Sequence, residues 1–304
     1  MKKTLLTAAS LLVAASVSLA QGKDALPFTR IDVNPALSGM AGASIASADE
    51  MAWSAFRNAA TLPFSGKTFD AGIGYQLWSP SAAKSNNINV GVAYKFSPKM
   101  GLSLGFTSQS GNAYNVVSDD GEVTGTFSPN DMAVALGLGF GLGEHVSLGL
   151  NARYAHQTLA QGVAYSGISA DAFLLFRLGE SFDLTAGVST LGNSIESTTK
   201  KKFAQPAYAT VGAEFRILDG LKVDAAGEYY FSKNFAAAVG ASYCIADMIY
   251  LRAGYRYASA ACVLPSHLAV GAGVKFGGIR VDVSYLTASP ILGNTLSVGV
   301  NFGI

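Results

Sequence analysis

Charge is scarce in this chain. Only 13% of its 304 residues are Asp, Glu, Lys or Arg, half are hydrophobic, and the mean hydropathy is +0.31. Soluble domains carry about 25% charged residues, so the composition is that of a membrane protein. Long apolar runs are missing too: beyond residue 20, no stretch supplies the roughly 18 consecutive apolar residues of a spanning helix. Backbone in lipid must satisfy its hydrogen bonds within the protein, so a membrane chain without spanning helices has to be a closed barrel. Cysteine is limited to Cys244 and Cys262, which excludes a disulfide framework and leaves no metal-ligand spacing. The expected register puts these two at opposite ends of strands, over about 20 Å apart, so they should not be bonded. The three histidines, His145, His156 and His267, are too scattered for a catalytic set. No serine sits in a Gly-x-Ser-x-Gly elbow with plausible partners. Neither enzyme activity nor a cofactor is expected, and a net charge of +1 argues against nucleic acid as a partner.

What is present is alternation. Met132, Val134, Leu136, Leu138, Phe140 and Leu142 are large and apolar, with only Ala and Gly between them. After Gly143-Glu144-His145 the rhythm resumes at Val146, Leu148 and Leu150. That is a hairpin with one greasy face. The same period of two runs from Thr68 to the end and yields fourteen strands. Every second connection is short, such as Ser97-Pro98-Lys99 and Gly277-Gly278, while those near 79–86, 109–130, 157–167, 191–205, 258–266 and 288–294 are longer. The link at 232–234 is a short exception. Outer-membrane barrels have even strand numbers, short periplasmic turns and longer outer loops. The expected fold is therefore all-β, a fourteen-stranded transmembrane antiparallel barrel over 68–304 with both termini periplasmic. Aromatic residues near strand ends, Trp78 and Phe96 among them, read as interfacial girdles.

Residues 1–20, with Lys2-Lys3, an apolar middle and Ser18-Leu19-Ala20, read as a cleaved secretory signal. Residues 21–67 do not alternate. They are expected to form a partly helical plug-like segment, with a Gly-rich turn at Met40 to Ala43 and a short helix over Ala46 to Ala60 capped by Ser47 or Asp49. Fourteen strands enclose more space than small lumen residues fill, so Met51, Trp53, Phe56, Asn58 and Leu62 should contact the barrel interior, with Asp49, Glu50 and Arg57 meeting lumen charges. Opposite the greasy stripe lie Arg153, Asp171, Arg177, Asp183, Glu214, Arg216, Lys222, Asp224, Glu228, Arg252, Arg256, Arg280 and Asp282. The turns set Arg177 against Asp183, Glu214 diagonal to Lys222, and Arg216 diagonal to Asp224. These charges read as a selectivity ring or, preferably, as a paired ladder that rigidifies the lumen.

The run Ala36-Leu37-Ser38-Gly39-Met40-Ala41-Gly42-Ala43, then Ser47 to Glu50, then Trp53 to Leu62 (WSAFRNAATL), resembles the opening of PorV/PorQ-like outer-membrane proteins, relatives of the FadL transporters. Asn58-Ala59-Ala60-Thr61-Leu62 lacks the proline of that pattern. The resemblance implies a non-enzymatic outer-membrane adaptor of a type IX-like secretion complex, with protein partners as well as outer-membrane lipid. The alternative it implies is a FadL-like passive transporter with a hydrophobic ligand.

Overall fold

A computed structural model describes residues 24–78, 85–118, 120–196, 200–287, 289, 292 and 294–304. The signal-like stretch 1–20 lies outside them. The strands are β1 (Phe69–Trp78), β2 (Ser85–Ser97), β3 (Met100–Ser110), β4 (Tyr114–Val117), β5 (Val123–Phe127), β6 (Asn130–Gly141), β7 (Val146–Ala160), β8 (Val163–Arg177) and β9 (Phe182–Gly192). They continue as β10 (Ile195–Glu196), β11 (Lys202–Phe203), β12 (Tyr208–Leu218), β13 (Leu221–Tyr230), β14 (Phe235–Ile245), β15 (Ile249–Ala258), β16 (His267–Phe276), β17 (Ile279–Thr287) and β18 (Thr295–Gly303). Two small hairpins, β4–β5 and β10–β11, stand apart in loops. The other fourteen strands close into one antiparallel barrel, sealed where β1 pairs with β18.

The parity of the wall follows the alternation. Along β6, Met132, Val134 and Leu136 are exposed on the outside, while Ala133, Ala135 and Gly137 are buried on the inside. Large apolar side chains thus make the outer band that a bilayer requires. β8 departs from this rule: Phe173 and Leu175 point inward and are fully buried against Ile45, Ala60 and Phe64. Trp78 is not a girdle residue. It shares the inward parity of Gln76 and packs near Ala41, Ala269 and Leu286.

One expected long loop is absent. Residues 157–167 hold only the turn Gln161-Gly162, with Gly162 at φ 75°, because β7 and β8 run on to Ala160 and Val163. The greasy parity lapses there at Thr158, Ala164 and Ser166, yet the ladder continues through Thr158↔Ala164. Backbone pairing in water needs no apolar face, so the pattern underestimates strand length beyond the membrane.

The core lies between the wall and the N-terminal segment. That segment contains one α-helical turn, Pro35–Ser38, and 3-10 turns at Pro27–Arg30, Met51–Phe56 and Ala59–Phe64. The single helix expected over 46–60 is two 3-10 turns instead. Neither Ser47 nor Asp49 caps them: Met51–Phe56 has no side-chain cap, and Asn58 caps Ala59–Phe64 by accepting from Ala60 N (3.0 Å), as Asn34 caps Pro35–Ser38 by accepting from Ala36 N (2.9 Å). Pro63 lies inside the last turn.

Candidate functional site

The wall's inner glycines are seats for the N-terminal segment. A Cβ on Gly91 would stand 2.5 Å from Ala52 O, and one on Gly149 2.0 Å from Ala60 N. Both are closer than atoms approach, so only glycine lets these backbones meet. Trp53 lies over Gly72 and Gly91, Phe56 against Gly105 and Leu62 against Gly101. Met51, Trp53 and Leu62 are completely buried. The Trp53 indole N–H donates to Asn301 Oδ1 at 3.2 Å, and Asn58 Nδ2 donates to Ile45 O and Thr185 Oγ1, each at 3.0 Å. Apolar packing and a few directed polar contacts therefore fix the segment in the lumen.

The inward charges form separate groups rather than one ring. In β8 and β9, Arg177 sits opposite Asp183 with Nη2–Oδ2 at 3.0 Å. Arg216 does not pair with Asp224. It reaches Asp183 at 2.9 Å and Glu214, while Lys222 lies 3.9 Å from Glu214 and 2.6 Å from Asp49 of the N-terminal segment. Asp224 directly faces Glu214, and its Oδ1 is buried with no hydrogen bond. A second group links Arg252 to Asp282 (2.7 Å), Asp282 to Arg280 (2.7 Å) and Arg280 to Glu50. Burial pushes the Glu50 carboxyl up, but the Arg280, Lys67 and Arg252 charges outweigh it and hold the group below the usual range. Arg57 pairs with Asp32 (2.9 Å) inside its own segment rather than with the wall.

A third group has a residue that the sequence did not single out. Arg30 stacks 3.9 Å over the Tyr208 ring and donates to both Glu228 oxygens, at 2.9 and 3.0 Å. Arg256 shares the same carboxylate at 2.5 Å. Arg153 donates to Phe56 O (3.0 Å) and lies 3.6 Å from Asp171. Arg30 sits in a stretch without periodicity, where nothing marks a lone arginine as inward. Arg153, Lys222, Glu228 and Arg280 therefore tie the wall to the plug, while Asp183, Arg216, Arg252 and Asp282 pair within the wall.

Two openings flank the plug. Toward the short turns, a cavity of about 560 Å³ is bordered by Asp49, Lys67, Lys222, Tyr250, Lys275 and Arg280. Toward the long loops, a smaller cavity adjoins an apolar cluster of Leu26, Phe28, Ala133, Ala155 and Ile195. The wall is interrupted beside it: Ser189 and Thr190 bulge out of the β8–β9 ladder, and β9 beyond Ser189 has no partner on β12. Thr190 is at φ 58°, and Asp171 Oδ1 holds the bulge by accepting from Ser189 Oγ (2.7 Å) and Thr190 N (2.6 Å). Ala25 N donates to Ala204 O at 2.8 Å, so the N-terminal end of the plug leans on the loop that follows β9. Cys244 and Cys262 are both free thiols. Among the described residues, no group of His, Cys, Asp and Glu is arranged to hold a metal ion.

No protein-family model matches the sequence, and no curated protein matches it. Solved structures do. The monoaromatic hydrocarbon channel CymD aligns at TM-score 0.67 with 13% identity, covering 90% of this chain and 97% of that one. The Pseudomonas putida toluene transporter TodX aligns at 0.64 with 15% identity, covering 93% and 99%. A Pseudomonas aeruginosa FadL homologue aligns at 0.52 with 12% identity, covering 89% and 97%. The PorV/PorQ side of the resemblance drawn from Ala36 to Leu62 finds no support in these comparisons. The chain shares the barrel fold of these hydrocarbon channels and transporters.

Proposed function

We propose that the chain is an outer-membrane protein for passive passage of hydrophobic small molecules, the FadL-like alternative of the sequence reading. The observation that carries it is the joint fit of wall and plug to barrels that are described as hydrocarbon channels and toluene transporters. An internal feature agrees: the apolar cluster of Leu26, Phe28, Ala133, Ala155 and Ile195 lies beside the interruption after Ser189. An apolar solute would take the place of Leu26 and Phe28, while water and ions meet a polar, ion-paired plug. Nothing in the comparisons or the contacts favours the secretion-adaptor role or a protein partner.

The test is toluene uptake into vesicles. A pair of substitutions, Ala25→Cys and Ala204→Cys, replaces two residues joined by a backbone hydrogen bond, with Cys244→Ser and Cys262→Ser removing competing thiols. A backbone N–H···O bond of 2.8 Å keeps the two Cα atoms within about 6–7 Å, inside the reach of a disulfide. Vesicles with the intact chain should equilibrate toluene faster than empty ones, and oxidation of the double variant should abolish the gain until reductant restores it. Equal uptake by empty and loaded vesicles refutes the reading.

A further inference from the structure

The cavity on the loop side of the plug measures about 50 Å³. Four guanidiniums border it, those of Arg30, Arg57, Arg153 and Arg256, against two carboxylates, Asp32 and Glu228. Both carboxylates are already engaged: Asp32 faces Arg57, and Glu228 is divided between Arg30 and Arg256. Asp171 touches Arg153 from outside the lining, and Asp24 acts on Arg30 without bordering the cavity. An ion inside therefore meets an excess of positive charge at closest range.

A second observation comes from the hydrogen bonds. The Nε atoms of Arg30, Arg153 and Arg256 are each buried with no acceptor. Buried donors are nearly always paired, and a bound water or ion is one of the groups that satisfies an apparent orphan. Guanidinium groups donate only, so a ligand that pairs with these atoms is an acceptor. At about 10–15 Å³ for each water-sized sphere, the space holds about four heavy atoms. That is the size of acetate, and a planar carboxylate matches the guanidinium fork.

We propose that this cavity is a binding site for a small carboxylate of acetate size, clasped between Arg30 and Arg57 of the plug and Arg153 and Arg256 of the wall. The ligand bridges the two parts and strengthens the seat of the plug. The site stands on its own lining and does not depend on the passage of hydrophobic solutes.

Sodium acetate titrated calorimetrically into the purified full chain, in sodium gluconate whose anion is too large to enter, tests it. One saturable acetate site per chain is expected, with no competition from benzoate. Arg153→Gln should weaken acetate at least tenfold. Because Arg153 also holds Phe56 O, Ala133→Leu serves as a second variant: it fills the cavity from the wall without changing charge and should abolish binding. Absence of saturable heat, or acetate affinity unchanged in Ala133→Leu, means that the cavity holds only water and overturns the proposal. Toluene uptake that fails while acetate binds removes the transport reading alone.

Discussion

Replacing Trp53 with Ala is the most direct way to unseat the plug. The indole is 1% exposed, and the wall beneath it is Gly72 and Gly91. Glycine has no side chain to swing into the vacated space, so the hole cannot collapse from the wall side. Large-to-small changes at such sites cost about 3–5 kcal/mol, toward the upper end where relaxation is blocked. The substitution also strands the Asn301 side chain, whose Oδ1 accepts the indole N–H. At about 1.4 kcal/mol per factor of ten, the displaced population of the plug should grow between about a hundredfold and a few thousandfold. Trp53 takes no part in the backbone pairing of the strands, so the barrel should stay closed, weakened only along the β1–β18 join. Planar-bilayer recording reads this difference: the intact protein should show little steady conductance, Trp53→Ala should show frequent openings, and deletion of residues 46–62 should leave a steadily open pore. Phe276→Ala is the control, since Phe276 is 81% exposed on the outer face. A large steady conductance in the intact protein, or a Trp53→Ala record indistinguishable from it, would refute the reasoning.

Asp183 is fully buried between Arg177 and Arg216, and Asp183→Asn leaves Arg177 without its counter-ion and Arg216 with Glu214 alone. Breaking a buried pair costs about 3–5 kcal/mol, with the lower end expected because both arginines are partly exposed. The folded, fast-migrating band on semi-native gels should be lost at a lower temperature; an unchanged transition contradicts the ion-pair account. Glu50 gives a pH dependence of definite sign. Its carboxyl is held below its ordinary 4.5, so its contribution is complete above that value and disappears as pH falls through the lower folded value. Conductance of the intact protein should stay low from about pH 8 to pH 5 and rise only in stronger acid, whereas a rise between pH 8 and pH 5 would show that Glu50 and Arg280 do not hold the plug.

The wall was legible because a lipid-facing strand must alternate, and fourteen strands, their parity and the Arg177–Asp183 pairing all follow from that rule. What fills the barrel was legible only in outline. Small residues at Gly137 and Gly139 announce space inside, but that Gly149 receives Ala60, or Gly91 receives Ala52, depends on contacts between distant parts of the chain. Arg30 and Asp32 escaped notice because the segment before β1 has no period to assign them a side. The turn at Gln161-Gly162 was missed for a related reason: hydropathy marks where a strand crosses lipid, and says nothing about how far the ladder extends past it. One hairpin alone points Arg216 toward Asp224, whereas the neighbouring β9 brings Asp183 within 2.9 Å.

The join between β1 and β18 is the place where a barrel is held by backbone pairing between the two ends of its sheet. Here the N-terminal segment spans that join like a rivet. Trp53 rests on Gly72 of β1 and bonds Asn301 of β18, Pro35 lies against Gly74 of β1 and Gly299 of β18, and Glu50 accepts from Asn301 at 3.2 Å. Parting the first strand from the last would require withdrawing these side chains as well as unzipping the ladder. The segment that blocks the pore is thus also a clasp across the barrel's closing edge, and a change that frees it loosens the cylinder along that line before any other.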